Sequence, residues 1–251
     1  MARYVLEVAY DGTAFHGSQL QGEIPTVQLA VNKALSTLLR IPIETWGASR
    51  TDEGVHALCN CYHFDYDGVL LPRFLYNLNA VLPTALGAKR LFVAKSDDFN
   101  ARFEATSRCY RYRIYHSKDP FLYERALHYP FTLNKELLNE TAEIIKQQTN
   151  FETFSKRNTQ TKTFLCKIFR SYWQQEGEEL QYIVEANRFL RGMVRGLVGT
   201  QLQVARGKMT IQDFRDAIAA RDCSKANFSV AGHGLYLEEI RYPEGLLEEI
   251  R

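Results

Sequence analysis

The sequence predicts an α+β protein made of two halves, and three observations support this class. The chain has 251 residues, of which 45% are hydrophobic and 12% aromatic, which is enough to bury a sizeable core. Strand-like and helix-like patterns alternate along its whole length. No low-complexity segment or flexible linker interrupts them. We therefore expect two closely packed halves, residues 1–104 and 105–251, with a cleft between them.

Alternation and helical periodicity locate the elements of the first half. RYVLEVAY places every second apolar residue on one face and is predicted to be a strand. Pro25-Thr26 opens an apolar run of helical period that ends near Leu39, and a second helix over 71–83 is stopped by Pro83. Three further strands are predicted, in the segments IETWGAS, HALCNCYHFDY and AKRLFVAK.

The second half repeats this mixture of elements. It opens with the β-prone run TSRCYRYRIYH and continues with a helix over 132–148, capped by Thr132 or Asn134. A hairpin is predicted over Glu176-Gly177-Glu178. Helices over 188–205 and 210–222 and a closing strand over 235–242 complete the half. The glycines Gly192, Gly196 and Gly199 would let the first of these helices approach its neighbours closely.

Basic residues are concentrated locally, although the formal net charge is only +2. The stretch 102–113 holds four arginines and one acid, whereas 156–170 and 186–212 each hold five basic residues and no acid. If the three stretches converge, they could neutralise a phosphate backbone. Any one of them alone is more often ordinary solvated charge.

Cysteine usage and hydropathy exclude several classes of protein. The five cysteines are scattered without a C-x-x-C pair, so reduced thiols are favoured over a metal site or disulfides. Cys59 and Cys61 would share one strand face. No apolar run is long enough to span a bilayer, and the N-terminus is typical of a strand rather than a signal peptide. A cytoplasmic location is expected.

The segment with the most chemical content is Gly47-Ala48-Ser49-Arg50-Thr51-Asp52-Glu53-Gly54-Val55-His56-Ala57. It is a polar loop bounded by glycines and lying between two strands, where catalytic groups often lie. From the residue types alone, a plain β-turn with Asp52 in an Asx role is favoured.

That segment resembles the signature loop of the tRNA pseudouridine synthase A family, approximately G-x-x-R-T-D-x-G-V-H-A. Other segments resemble the family in the same order, so that the match spans about residues 4–240. They are Tyr10–Gly17, Phe99–Phe103, Ala105–Tyr112, Phe189–Gly199 and Gly234–Leu237. The chain departs from the family's usual Trp, Glu, His and Pro-containing segment at Ser18, Asn32, Asn100 and Ala231–His233, respectively.

The resemblance implies both a fold and an activity. The fold is two ferredoxin-like-derived α+β halves with antiparallel sheets, joined across a central RNA-binding cleft. The activity is conversion of uridine to pseudouridine at positions 38, 39 and 40 in the anticodon stem-loop of tRNA. Because this reaction oxidises nothing and donates no group, no cofactor is expected. A homodimer that spreads one tRNA over both subunits is also implied.

The resemblance assigns the catalytic roles to three residues. Asp52 is the catalytic carboxylate, acting either as nucleophile or as base at the sugar. Such a carboxylate should be ionised, and a nearby arginine favours this, a role that falls to Arg195. Tyr110 stacks on the target base, worth ~1–3 kcal/mol, and helps to remove the C5 proton. A core tyrosine is the alternative for Tyr110, and Tyr112 on the same strand face is the alternative residue.

Two further residues are assigned to substrate binding, each with a structural alternative. Arg50 holds the extruded base out of its stack, or is a loop charge paired with Glu53. Leu235 packs near the uracil, or is a core leucine. Arg188, Arg191 and Arg195 are spaced to share a helix face, with the first two as phosphate contacts or surface charges. His56 is expected to be structural.

Three other functions remain open. An RNA-binding protein with lost chemistry, such as a tRNA chaperone, is disfavoured by the intact Arg-Thr-Asp core. A small-molecule α+β enzyme is disfavoured because the sequence lacks a phosphate loop and a dinucleotide fingerprint. A related synthase with broader RNA targets is the third.

Overall fold

The computed structural model describes residues 1–157 and 161–251, which form two compact units. The first unit comprises Met1–Thr106 together with Leu237–Arg251, and the second comprises Ser107–Tyr236. The chain therefore returns to its N-terminal unit for its last segment. Both units contain helices and strands, so the predicted α+β class is confirmed. None of the helices in the described residues is long and apolar enough to cross a bilayer.

The first unit is built on an antiparallel sheet. Its strands follow the order β10-β4-β1-β3-β9, with β2 paired to β3. Its elements are β1 (Ala2–Tyr10), α1 (Val27–Leu39), β2 (Trp46–Gly47), β3 (His56–Tyr66), α2 (Arg73–Val81), β4 (Leu86–Ala94), most of β9 (Leu235–Arg241) and β10 (Leu247–Glu249). The predicted helices and strands of this half are confirmed, although the strand predicted in IETWGAS is reduced to Trp46–Gly47. The short β10 and the 3-10 turn Gly12–Ala14 were missed.

Local sequence explains where α1 begins and ends. The side chain of Thr26 accepts a hydrogen bond from Leu29 N and caps the first turn. The helix buries an apolar stripe that includes Val31 and Leu35. It ends where Arg40 adopts the left-handed region, at φ 58°. This helix places the preceding segment, residues 12–18, beside the signature loop.

In the second unit, the strands β5, β8 and β7 are antiparallel neighbours in that order. Its elements are β5 (Ser107–Tyr115), β6 (Leu127–His128), α3 (Lys135–Gln147), β7 (Ile168–Glu176), β8 (Glu179–Ala186), α4 (Met193–Ala205) and α5 (Ile211–Ala219). The indole of Trp173 on β7 donates to Gln201 Oε1 on α4 at 2.9 Å, which ties the sheet to its helices. Of the two caps predicted for α3, Asn134 is the one observed.

Two predictions for this unit need correction. The helix predicted over 188–205 begins only at Met193, because Gly192 adopts φ +73° and forms its N-cap. Arg188 and Arg191 therefore precede the helix, and the prediction that they share a helix face with Arg195 is wrong. The sheets are also not purely antiparallel, since the short strand β6 pairs with β5 in parallel.

Candidate active site

The polar loop predicted from the sequence connects β2 to β3 in the first unit. Gly54 adopts φ +76°, and Val55 N donates to Asp52 O at 3.2 Å, which closes a turn. Along the loop Arg50 is exposed, Thr51 is buried and Asp52 is half-buried. The two residues singled out for chemistry thus flank a buried threonine.

Thr51 is anchored by two other segments of the first unit. Its N–H donates to Ser18 Oγ at 2.8 Å, and Ser18 N donates to Thr51 O at 3.0 Å. Its hydroxyl lies 2.9 Å from the hydroxyl of Tyr10, at the end of β1. Asn60 on β3 donates both to Tyr10 Oη at 3.1 Å and to Ser49 O at 3.0 Å. The loop is therefore bound to its surroundings by buried polar side chains.

The turn after β1 packs directly against the exit of the loop. A Cβ at Gly12 would lie 2.1 Å from Val55 O, so only glycine fits there. Gly12 N donates to His56 Nδ1 at 3.1 Å, and His56 Nδ1 also lies 3.3 Å from Asp11 Oδ1. His56 is buried and hydrogen-bonded, in keeping with the structural role expected for it.

The ion pairs around the loop show whether Arg50 is paired with Glu53. Glu53 Oε1 lies 3.3 Å from His16 Nδ1. Within the described residues, Arg50 forms no ion pair. The alternative in which Arg50 is paired with Glu53 is therefore wrong.

The two candidate tyrosines both lie on β5, but they differ in their contacts: Tyr110 packs through its ring, whereas the hydroxyl of Tyr112 makes a hydrogen bond to the backbone. The Tyr110 ring is 7% exposed and packs edge-on against Phe189, with ring centroids 5.0 Å apart. Tyr112 is fully buried and donates its hydroxyl to Ala231 O at 2.7 Å. Burial raises the pKa of Tyr112, while nearby Arg195 opposes that shift. Tyr112 thus holds a backbone segment in place and is the weaker candidate for stacking on a base.

Arg195 lies in the first turn of α4 and reaches the same backbone segment. Its Nε donates to Val230 O at 2.8 Å, and a terminal nitrogen lies 3.4 Å from Phe228 O. Glycines on α4 let the segment that contains Asn227 and Phe228 pack directly against the helix. A Cβ at Gly196 would be 2.7 Å from the Phe228 ring, and one at Gly199 would be 2.1 Å from Asn227 O. The close approach predicted for these two glycines is confirmed.

Leu235 follows this segment and opens β9. It is buried, 6% exposed, after a single 3-10 turn over Gly232–Gly234. A Cβ at Gly234 would lie 2.7 Å from Tyr112 Cζ. The ring of Tyr112 therefore sets how closely the chain passes before Leu235.

Several residues of the basic stretches serve the fold of the second unit. Arg113 binds both carboxylate oxygens of Glu179, at 2.6 and 2.5 Å, and this hydrogen bonding raises the pKa of Arg113. Arg170 donates to Glu185 at 2.6 Å. Exposed basic residues that remain candidates for phosphate contacts are Arg102, Lys162, Lys167, Arg191 and Lys208. Residues 158–160 of the second basic stretch lie outside the described residues.

One grouping of metal-ligating residue types was missed by the sequence analysis. Potential ligand atoms of Glu7, Cys59 and Cys61 lie within 4.8 Å of one another. However, Arg90 binds the Glu7 carboxylate, at 2.5 Å. Hydrogen bonding to Cys59 and burial raise the pKa of Cys61 well above its usual value. A raised Cys61 pKa beside a paired carboxylate favours a structural role over metal binding.

The anchoring contacts of three residues were not predicted from the sequence. Tyr10 was predicted as a strand residue that opens a family-like segment, Ser18 was noted only as a departure from the family, and Asn60 was not singled out. The one available signal was Asn60 itself, a polar residue in an otherwise apolar β-prone run.

Comparison with known proteins identifies the family. Residues 148–243 match the model of a family described as tRNA pseudouridine synthase. A tRNA pseudouridine synthase A from Parabacteroides distasonis is 41% identical over 248 residues, covering 98% of each chain. The enzyme of the same name from Bacteroides thetaiotaomicron is 41% identical over 99% of this chain and 94% of its own. That from Aliivibrio salmonicida is 33% identical over 96% and 93%. The chain therefore belongs to the tRNA pseudouridine synthase A family.

Proposed function

We propose that this chain isomerises uridine to pseudouridine in tRNA, at positions 38, 39 and 40 of the anticodon stem-loop. The observation that carries the proposal is the loop between β2 and β3. It presents Arg50 and Asp52 on either side of an anchored, buried Thr51. The loop lies in a chain that shares 41% identity, over almost its whole length, with proteins named for this reaction.

The chemistry needs one carboxylate and no cofactor. The bond between ribose C1′ and N1 of uracil breaks, the base turns, and C1′ forms a bond to C5. N1 gains a proton and C5 loses one, so atoms and electrons balance within the nucleotide and the solvent. Asp52 acts at the sugar, either by attacking C1′ or by removing a sugar proton.

The other candidate residues support this step. By resemblance to the family, Arg195 is assigned as the charge partner of Asp52, and its bonds to Val230 O and Phe228 O fix the orientation of the guanidinium. Tyr110 stacks on the extruded base and assists loss of the C5 proton. Leu235 packs near the uracil. Arg50, exposed on the loop, holds the base away from its stack.

The finer features of the family complete the proposal. By resemblance to the family, each unit is proposed to derive from a ferredoxin-like half; the catalytic loop belongs to the first unit, and the tyrosine strand and arginine helix belong to the second. The enzyme acts in the cytoplasm as a homodimer with one tRNA spread over both subunits. Light scattering after size exclusion should give about twice the 28.9 kDa of the chain. A mass of one chain at full activity contradicts the dimer.

The reaction can be followed by release of the C5 hydrogen. Transcripts of tRNA carrying tritium at C5 of uridine, with uridine at only one of positions 38, 39 and 40, are incubated with the purified chain. We expect tritium in the solvent from the wild type and none from Asp52→Asn, which keeps the size of the side chain and removes its charge. Filter binding should show that the variant holds RNA within a few-fold of wild type.

Three results would contradict the proposal in distinct ways. RNA binding by the wild type without tritium release indicates an RNA-binding protein that has lost its chemistry. Substantial release by Asp52→Asn removes Asp52 from the catalytic role. Release from uridines outside the anticodon arm indicates a synthase with broader targets.

A further inference from the structure

The polar atoms beneath the signature loop form one connected set, which we call the Thr51 cradle: Tyr10, Ser18, Thr51 and Asn60. All four residues are at most 7% exposed. We propose that the Thr51 cradle positions Arg50 and Asp52 for catalysis, with Tyr10, Ser18 and Asn60 as positioning residues that do not touch the substrate. This inference rests on the proposed function, since it assigns these residues to that reaction.

The cradle acts on the two peptide planes next to the reactive residues. Thr51 N belongs to the peptide group that joins Arg50 to Thr51, and Ser18 Oγ accepts its hydrogen at 2.8 Å. Thr51 O belongs to the peptide group that joins Thr51 to Asp52, and it accepts from Ser18 N at 3.0 Å. Because both planes are fixed by the same residue, the directions in which the Arg50 and Asp52 side chains leave the backbone are fixed as well.

The third contact holds the side chain of Thr51 inward. Asn60 donates to the oxygen of Tyr10, so the proton of Tyr10 is available to Thr51 Oγ1. Burial raises the pKa of Tyr10 to about 12, and the hydroxyl therefore stays protonated at neutral pH. The same amide of Asn60 donates to Ser49 O at 3.0 Å, which fixes the entry of the loop.

Ser18 supplies an acceptor that the family's usual residue at this position lacks. The family resemblance places a tryptophan at this position, and an indole can donate a hydrogen bond but cannot accept one. The serine hydroxyl accepts from Thr51 N. Gly17 allows this close approach: it adopts φ +87°, and a Cβ at this position would lie only 3.0 Å from Thr51 O.

Strand β1 supplies a matched control for the test. Tyr4 lies on the same face of β1 as Tyr10 and is equally buried, at 4% against 5% exposed. Its hydroxyl donates to Gly68 O at 2.7 Å and accepts from Leu70 N at 3.3 Å, away from the signature loop. Tyr4→Phe and Tyr10→Phe therefore remove the same buried atom from the same strand, but only the second removes it from the cradle.

The experiment compares the tritium-release kinetics of the full-length variants. We expect Tyr10→Phe and Ser18→Ala to lower kcat about 10- to 100-fold with KM for tRNA nearly unchanged, because small misplacement of reacting groups is costly. Tyr4→Phe should lose comparable thermal stability and keep kcat within about twofold. In a double-mutant cycle, Tyr10→Phe and Thr51→Val should be strongly non-additive in kcat.

Hydrogen exchange gives a readout that does not depend on activity. Amides in segment 49–54 should exchange faster in Tyr10→Phe, while those in 68–70 should exchange faster in Tyr4→Phe. Equal kcat for the two tyrosine variants, or an effect on KM alone, would overturn the cradle even where Asp52→Asn is inactive. A wild type that releases no tritium defeats the proposed function instead, and unchanged exchange in 49–54 would then refute the anchoring itself.

Discussion

The loop of residues 47–55 and the segment of residues 227–235 both carry candidate site residues, but the main contacts that hold them differ. The loop is tied down by side-chain atoms, the hydroxyls of Tyr10 and Ser18 and the amide of Asn60. The segment lies on bare backbone at Gly196 and Gly199, and its carbonyls accept hydrogen bonds from Tyr112 and Arg195.

The difference determines what kind of substitution each region tolerates. The loop loses its anchor when one atom is removed, because a buried donor or acceptor is then left without its partner. The segment is displaced when one atom is added, because its contacts leave no room for a Cβ. The two tryptophans allow the regions to be followed separately, since Trp46 lies in the first unit and Trp173 in the second.

The largest effect on stability is expected from Gly199→Ala. The added methyl would lie 2.1 Å from Asn227 O, so backbone has to move, at a cost of roughly 3 kcal/mol. Urea unfolding followed by Trp173 fluorescence in a Trp46→Phe background measures it. The control is Gly87→Ala in the first unit, followed by Trp46 fluorescence; there the nearest atom is 3.9 Å away and a change below about 0.5 kcal/mol is expected. Equal effects of the two substitutions would contradict the steric account.

A smaller loss is expected from Tyr112→Phe, the counterpart of the cradle tyrosine in the second unit. The change leaves Ala231 O without its donor at a partly buried site, which costs about 1 kcal/mol. Activity should also fall, because Ala231 leads into Leu235. The same unfolding measurement applies, with Tyr172→Phe as control because Tyr172 is 37% exposed on β7. If Tyr112→Phe is as stable as Tyr172→Phe, the hydroxyl does not hold the segment.

The smallest effect concerns acid and should be specific to the first unit. Burial, with nearby Arg3 adding to it and Asp65 opposing, lowers the pKa of His63 to about 4. The unfolded chain then binds more protons than the folded chain between that value and about 6.5, so stability falls as pH falls through this range. The Tm of wild type should drop more between pH 7 and 5 than that of His63→Asn. A parallel drop in both would show that His63 does not contribute.

The sequence predicted most elements because their signals were local. The cap at Thr26, the stop at Pro83 and the turn at Gly177 each act within a few residues of the element that they delimit. The predicted start of α4 was wrong because apolar periodicity runs through 188–205. The left-handed backbone conformation of Gly192, which delays the helix, cannot be deduced from that periodicity. The two-residue strand β6 carries no periodicity at all.

The site residues likewise divide into those marked by a local motif and those whose contacts are distant in sequence. The roles of Asp52, Arg50, Tyr110, Arg195 and Leu235 were assigned through motif resemblance. The roles of Tyr10, Ser18 and Asn60 depend on contacts between segments 33 to 50 residues apart in sequence. No local pattern encodes such pairings. Likewise, the pairing of Arg113 with Glu179 could not be distinguished in the sequence from a solvated charge.

The return of residues 237–251 to the first unit has a consequence for synthesis on the ribosome. The second unit is continuous in sequence, so all of its strands and helices are available once Tyr236 has been made. The first unit is begun earliest but obtains β10, which pairs with β4 from Leu247↔Ala94 onward, only with the last residues of the chain. Whereas domains usually fold in the order of their synthesis, here the sheet that carries the signature loop is the last to be completed.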